Sequence, residues 1–295
     1  MGFINVAEYA NADAAGQCWI TQFRKAVTST ATITSSYVDY TYFAGSPLAN
    51  FYASTPLEAA HIDSTRGIYL PTTDQVLKNI TVMTSAASAT STTNQRQKLM
   101  LCDYLMYYPF IDTDSTDQQD MVQSVTIPRY TSGYVMAIAQ SASSTIGQFT
   151  FSYTNQDGVA GRTSPNIFTQ IVAGGGQSVS SDISANGFNP FLPLQAGDSS
   201  VRSIESVTFT AVGGGLMALV IVKPLRIFDV NAECRRTTTG NLESYGAASS
   251  VDSLIHEPKA PVIKSGAILG LLSKGNGGSL ASSILVGYLE TLWSN

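Results

Sequence analysis

Charged side chains are scarce in this sequence of 295 residues, at 13% Asp, Glu, Lys and Arg, about half of the roughly 25% usual in soluble domains. The formal net charge is -5, and no basic stripe occurs along the chain. Non-specific binding to nucleic acid depends on clustered Lys and Arg that neutralise phosphates, so the sequence predicts no nucleic-acid partner. A surface with little charge is suited to lasting contact with neighbouring proteins.

Histidine is rarer still, with only His61 and His256, so the usual general base of hydrolytic catalysis is nearly missing. The patterns G-x-S-x-G, H-E-x-x-H, G-x-x-x-x-G-K and G-x-G-x-x-G are also absent. A carboxylate pair for glycoside cleavage could come from distant strands, but nothing singles out such a pair among the 21 acidic residues. We therefore expect a protein that is not an enzyme, with no catalytic residue and no cofactor.

The three cysteines, Cys18, Cys102 and Cys234, are odd in number and form no C-x-x-C pattern, which argues against a disulfide framework and a zinc site. They are expected to be free thiols of a protein made in a reducing cytoplasm. The N-terminus has no basic region before an apolar stretch, so no secretory signal is expected. The apolar stretches 266–272 and 280–292 are shorter than the ~18 residues that span a bilayer, so no membrane partner is expected.

Alternation of apolar and polar residues is the strongest pattern present, and it is clearest between Ser124 and Val230. Glycine-rich turns such as Gly213–Gly215 separate the alternating segments. Six or more short strands separated by turns favour a mainly β fold, an antiparallel β-sandwich of jelly-roll type. The predicted strands are Ala31–Phe43, Val76–Met83, Val125–Ile127, Tyr134–Ile138, Phe149–Tyr153, Ile167–Val172, Val207–Val212 and Leu216–Val222.

The domain organisation follows from changes in this pattern. Residues 1–30 contain Ala-rich stretches that permit one or two short helices broken at Gly16, and they are predicted to be a helical anchoring segment. Residues 31–230 are the predicted β-sandwich core, with an irregular subregion at 44–123 and a mobile Ser/Thr/Ala loop at 84–93. Beyond Pro224 the alternation weakens, so residues 231–295 are predicted to be an extended C-terminal arm.

The most acidic stretch runs from Asp112 to Asp120. Carboxylates at alternate positions can converge on calcium, which prefers oxygen ligands, so Asp112, Asp114 and Asp117 are candidate metal ligands. The stretch lacks the glycine at the sixth position and the closing Glu of an EF-hand loop. An acidic turn is the alternative interpretation, and the sequence favours it.

Tyrosines form two clusters, which could serve as a sugar-stacking platform on a strand face. Packing in the core or at an interface is the more frequent use of such clusters, and the sequence favours it. The residues are Tyr37, Tyr40, Tyr42, Tyr104, Tyr107 and Tyr108.

Several strings in residues 1–225 resemble a family of uncharacterised virion structural proteins of tailed phages. They include DYLMYYPF at 103–110, IPRY at 127–130, YTNQDGVAGR at 153–162, LQAGD at 194–198, VRSIESV at 201–207 and LVIVKPL at 219–225. The resemblance implies a capsid decoration or cement protein. Such a protein is made in the bacterial host cytoplasm, binds the major capsid protein on the virion surface and forms a jelly-roll homotrimer. The alternative that the resemblance leaves open is a tail or vertex component whose β-sandwich binds carbohydrate or a receptor.

Overall fold

The computed structural model describes ten ranges of the chain, and within them most of the regular secondary structure is β-strand. The helix α1 spans Val6–Ala14, and a single 3₁₀ turn spans Tyr40–Tyr42. Gly16, with φ of 70°, follows α1 and supplies the left-handed conformation that ends many helices. The described ranges are 6–27, 36–69, 73–85, 96–180, 189–231, 234–236, 242–244, 247–252, 261–275 and 284–293.

The strands vary from short bridges to two very long elements, and every pair of strands is antiparallel. The prediction of a mainly β, antiparallel fold with a short N-terminal helix is confirmed. The strands are β1 (Cys18–Ala26), β2 (Tyr37–Asp39), β3 (Gly45–Ser46), β4 (Ile68–Tyr69), β5 (Gln75–Ser85), β6 (Arg96–Asp112), β7 (Gln119–Asp120), β8 (Tyr134–Ala139), β9 (Gln148–Asn155), β10 (Arg162–Thr163), β11 (Ile167–Phe168), β12 (Val201–Ala211), β13 (Leu216–Asn231), β14 (Cys234–Arg236), β15 (Leu242–Ser244), β16 (Ala247–Asp252), β17 (Val262–Ile263), β18 (Ile268–Gly275) and β19 (Ile284–Leu292).

Three sheets carry the fold. The central sheet has the order β2-β18-β6-β13-β8, with β4 on β18. A second sheet has the order β10-β9-β12-β7, with β11 on β9, and a third has the order β16-β5-β19-β1-β3, with β17 on β5. The strands β14 and β15 pair only with each other among the described residues.

The long strands β6 and β13 pair along nearly their whole length and connect two hydrophobic cores. Near the C-terminal end of β6, Leu105 and Tyr108 pack with Phe151 and Phe209 of the second sheet. Near its N-terminal end, Leu99 and Leu101 pack in a cluster with residues of the third sheet. The second and third sheets therefore pack against successive parts of the same two strands.

The other side of β6 packs in a third cluster that is rich in tyrosine. Tyr104 and Tyr107 of β6 lie with Tyr37 and Tyr52, which come from the segment before β4, and all four are buried. Aromatic side chains bury large apolar areas, so the segment from Tyr37 to Ile62 is held against the central sheet although it contains little regular structure.

The second N-terminal helix that the sequence permitted is a strand instead. In β1, Phe23 and Lys25 are buried while Gln22 and Arg24 are exposed, a period of two. This alternation matches the pleat of a strand, and β1 pairs with both β3 and β19.

Two predicted strands are shorter or absent. Residues 125–127 form no strand, although Val125 and Ile127 pack against the first core from an irregular segment that ends at Pro128. Of the predicted strand Ile167–Val172, only β11 at its beginning is regular. Apolar side chains that alternate can be buried without a β-ladder, which is why the pattern misled at both places.

Apart from β14 and β15, the strands after residue 231 that the structure describes belong to the same sheets as the strands before them. Strand β13 continues through Pro224 to Asn231, because β8 stops opposite Val222 and the ladder to β6 shifts register after Pro224. Strand β18 lies between β2 and β6, and β19 lies between β1 and β5. The segment 284–292 therefore packs within the core.

Some predictions concern residues outside the ranges that the structure describes. Most of the predicted mobile loop at 84–93, the residues 31–35 of the first predicted strand, and His256 lie outside the described residues.

Candidate interaction surface

Four large apolar side chains are exposed at one end of the second sheet. Ile146 is 62% exposed, Ile171 49%, and Phe168 and Val212 each 42%. Single exposed apolar residues are common on protein surfaces, but a contiguous group of them is typical of a contact site. We call the surface formed by these four residues the apolar end surface.

Backbone hydrogen bonds join the three segments that carry these side chains. The N–H of Thr169 donates to the carbonyl of Gly147 at 2.9 Å, which places Phe168 beside Ile146. The N–H of Thr145 donates to the carbonyl of Gly213 at 3.1 Å, which brings Val212 to the same place. The N–H of Val172 donates to Ser143 Oγ at 2.8 Å, which holds Ile171 beside the 140–147 connection.

The glycine turn Gly213–Gly215 lets these segments approach one another. Gly214 and Gly215 have φ of 78° and 87°, in the left-handed region that other residues rarely adopt. A Cβ on Gly215 would lie 2.4 Å from the carbonyl oxygen of Ala142. Glycine at this position is therefore required for the 140–147 connection to pack against the turn.

The acidic turn lies directly beside the glycine turn. Asp112 Oδ1 accepts from the N–H of Asp114 at 2.8 Å, and Asp114 Oδ2 accepts from the N–H of Gly215 at 3.3 Å. The side chain of Gln119 closes the turn through bonds to the N–H and the carbonyl of Asp112, at 2.8 Å and 2.7 Å. These contacts are those of a hydrogen-bonded acidic turn at the edge of the apolar end surface.

Asp117 is exposed at the tip of this turn. In the part of the chain that the structure describes, no three His, Cys, Asp or Glu side chains form a group that could hold a metal ion. The fold thus brings Asp112 and Asp114 together for hydrogen bonding within the turn. The calcium site at Asp112, Asp114 and Asp117 has no further support.

A small cavity lies behind the apolar end surface. It is lined by Ser141, Ser143, Thr169 and Val172, among others, and its volume is about 10 Å³. Sites for small molecules are roughly 300–1,000 Å³, whereas about 10–15 Å³ holds one water. This end of the molecule is therefore suited to contact with another surface and not to enclosing a ligand.

The tyrosine clusters do not form a sugar-stacking platform. The residues Tyr37, Tyr40, Tyr104, Tyr107 and Tyr108 are all buried. Tyr42 is half-buried, and its hydroxyl donates to the carbonyl of Gln140 at 3.0 Å. The interpretation of these residues as core packing is confirmed for the five buried members.

Sequence reasoning missed a fully buried polar centre, which surrounds Asp39. The Asp39 carboxylate is fully buried and accepts from the Tyr104 hydroxyl at 2.8 Å, the Thr41 hydroxyl at 2.6 Å, the Thr41 N–H at 2.9 Å and the Tyr52 hydroxyl. Burial raises the pKa of Asp39, and these hydrogen bonds oppose the shift. The centre ties the segment after β2 to β6, which is a structural role.

A second buried acid pairs with an arginine. Asp103 on β6 is bound by Arg129 in a bidentate pair, with Nε 3.0 Å from Oδ2 and Nη2 2.7 Å from Oδ1. Asp103 Oδ1 also accepts from the N–H of Ile268 at 3.1 Å. Burial raises the pKa of Asp103, and Arg129 lowers it. These contacts fix the irregular segment at 128–130 to the central sheet.

At the end of β9 opposite the apolar end surface, Asp198 organises the turn that follows Asn155. Its Oδ2 accepts from Arg162 Nε at 2.9 Å and from the Tyr153 hydroxyl at 2.7 Å, and its Oδ1 accepts from Asn155 Nδ2 at 2.8 Å. The hydrogen bond from Arg162, followed by that from Tyr153, lowers the pKa of Asp198 to about 2.

This lowered pKa predicts a pH dependence. The ionised Asp198 stabilises the folded state above the ordinary Asp pKa of about 3.9, and that contribution is lost as the pH falls towards 2. We expect the difference in melting temperature between the wild type and Asp198→Asn to be largest near neutral pH and to shrink towards pH 2. Scanning calorimetry of both proteins across this range measures it, and a difference that stays constant with pH would contradict the assignment.

The remaining sequence candidates have structural surroundings. His61 is exposed, and its Nε2 lies 2.9 Å from the carbonyl oxygen of Thr126. Cys18 is half-buried and Cys102 is buried, and both are free thiols. The one helix among the described residues is too short to cross a membrane.

Comparison with known proteins identifies no relative. No family model, no curated protein and no solved structure matches this chain. The class that the fold defines is a mainly β protein, and it exposes apolar side chains at one end of a sheet.

Proposed function

We propose that this chain is a non-enzymatic structural protein of a tailed-phage virion, a capsid decoration or cement protein that binds the major capsid protein and stabilises the shell. The observation that carries the proposal is the apolar end surface, where Ile146, Phe168, Ile171 and Val212 are exposed together. Contiguous exposed apolar side chains are costly in water, so their presence favours a function based on contact with another protein.

The low charge of the chain supports the same function. With 13% charged residues, its surface has less of the polar character that keeps proteins apart in solution. A standard interface buries about 1,600 Å², and symmetric repetition of such contacts over a shell turns modest affinity into a stable assembly. On this proposal the three sheets form a jelly-roll-like sandwich, and the protein acts as a homotrimer on the virion surface.

The buried acids support a non-enzymatic function. Asp39 and Asp103 are buried and engaged with hydroxyl, backbone or guanidinium donors inside the protein. His61 lies beside a backbone carbonyl oxygen. A hydrolase would need an acid and a base that face the same accessible site.

The test is to mix the purified protein with capsid shells that lack it and to locate bound copies by cryo-electron microscopy. We expect ordered density at symmetry-related positions on the outer shell. Density at the tail or at a vertex would instead support the alternative of a carbohydrate- or receptor-binding component. Absence of bound protein from all particles would count against a virion role.

A further inference from the structure

The charge around the apolar end surface has one sign. The segments that build it and its edge are residues 112–120, 140–147, 167–172 and 210–216. Together they contain four aspartates, Asp112, Asp114, Asp117 and Asp120, and no Lys or Arg. The surface is therefore apolar in its centre and acidic on the side of the acidic turn.

A second copy of the chain related by a two-fold axis does not complement this surface. In a contact with two-fold symmetry, the same patch meets itself, so the acidic turns of two copies would repel each other. Four cations elsewhere in the described part of the chain pair with carboxylates within the protein. Arg129 binds Asp103, Arg162 binds Asp198, Lys78 binds Asp13 and Lys264 binds Asp74.

We infer that the apolar end surface docks a different protein, whose contact surface is apolar in its centre and carries Lys or Arg on the edge that faces the acidic turn. The inference rests on the proposed function, in which this partner is a component of the shell. The apolar side chains supply the buried anchors of the contact, and the acidic turn selects the partner and its orientation.

The chain offers a matched control at the other end of β9. Val159 is 51% exposed there, and the exposed Asp157 lies beside it in the turn after Asn155. This pair has the same chemistry as Val212 and Asp117 but lies away from the apolar end surface. Substitutions at both ends therefore change the apolar area and the charge of the protein in the same way, and only the position differs.

The first experiment measures binding of variants to the capsid shells that lack the protein. We expect Val212→Ser to weaken binding about tenfold. We expect Asp117→Lys to weaken it about tenfold at low salt and less at about 1 M salt, where charges are screened. Val159→Ser and Asp157→Lys should bind like the wild type. Equal losses at both ends, or no loss at either, would overturn the inference.

A second experiment does not depend on the shell. A fluorescent synthetic peptide of alternating Leu and Lys is compared with one of alternating Leu and Glu by fluorescence anisotropy. We expect only the Leu-Lys peptide to bind, and Asp117→Lys to weaken its binding about tenfold while Asp157→Lys does not. Binding that is insensitive to Asp117, or equal binding of both peptides, would overturn the inference.

The two experiments separate the inference from the proposed function. Wild-type protein that binds the Leu-Lys peptide through Asp117 but never binds the shells supports the docking surface and counts against the capsid role. If the wild type and both sets of variants bind the shells equally well, the result supports the capsid role and overturns the docking surface. Melting temperatures of all variants, compared with the wild type, confirm that each one folds.

Discussion

Replacing Asp39 by alanine is expected to lower the free energy of unfolding by about 3–5 kcal/mol, since it leaves several buried donors unpaired. The Tyr52, Tyr104 and Thr41 hydroxyls all donate to this carboxylate, and Tyr52 and Tyr104 are fully buried. Alanine removes the acceptor of all three hydroxyls. Urea denaturation followed by intrinsic fluorescence measures the change.

Asp39→Asn is the matched control for this variant. The amide keeps one oxygen acceptor and nearly the same volume, so we expect it to lose about half as much stability as alanine. A further control, Asp63→Ala, removes an exposed carboxylate that caps the N–H of Thr65 at 2.7 Å in a similar local turn. Its cost should be much smaller than that of Asp39→Ala, because water can replace an exposed acceptor. Equal losses for Asp39→Ala and Asp63→Ala would show that burial of the Asp39 network contributes little.

Arg129→Ala is expected to have a comparable effect, about 3–5 kcal/mol, because it leaves the Asp103 carboxylate buried without its cation. The side chain of Asp103 has no exposed area, and Arg129 forms two hydrogen bonds with it. Arg129 has φ of 66°, which is equally unfavourable for alanine, so backbone strain cancels in the comparison. Denaturant unfolding of the purified variant measures the loss.

A second substitution distinguishes loss of the ion pair from loss of packing. In the Arg129→Ala background, Asp103→Asn removes the buried charge, so the double variant should be more stable than Arg129→Ala alone. Arg129→Lys keeps the charge but not the two-point geometry and should fall between the wild type and Arg129→Ala. A double variant that is less stable than Arg129→Ala would show that the uncompensated charge is not the cause.

The sequence predicts the regular strands of this fold where alternation coincides with a ladder. The predictions Val76–Met83, Tyr134–Ile138 and Phe149–Tyr153 correspond to β5, β8 and β9 within a few residues. The predicted strand ended before Pro224, so the second half of β13 was missed. A proline within a strand is tolerated only where a neighbouring strand is missing or the ladder is irregular. Which neighbours a strand has is a property of the tertiary structure and cannot be read from the local sequence.

The candidate surface was only partly visible in the sequence. The acidic stretch at 112–120 stands out by composition, and so does the glycine turn Gly213–Gly215. The exposure of Ile146, Phe168 and Val212 cannot be predicted from the sequence. An apolar residue at the end of a strand gives the same sequence pattern whether another segment covers it or not. Asp39 gave a faint signal as an acid inside the Tyr37–Tyr42 run, but its burial depends on Tyr52 and Tyr104 from distant parts of the chain.

The two strands that connect the cores also determine how the protein responds to mechanical force. Strands β6 and β13 are antiparallel and paired from Arg96 to Asp112, so a pull that slides one along the other loads the rungs of the ladder in shear and together. Peeling from one end would load them one at a time, but side chains of the second and third sheets pack against both ends. Tension applied along β6 and β13 is therefore carried by the ladder that connects the two hydrophobic cores.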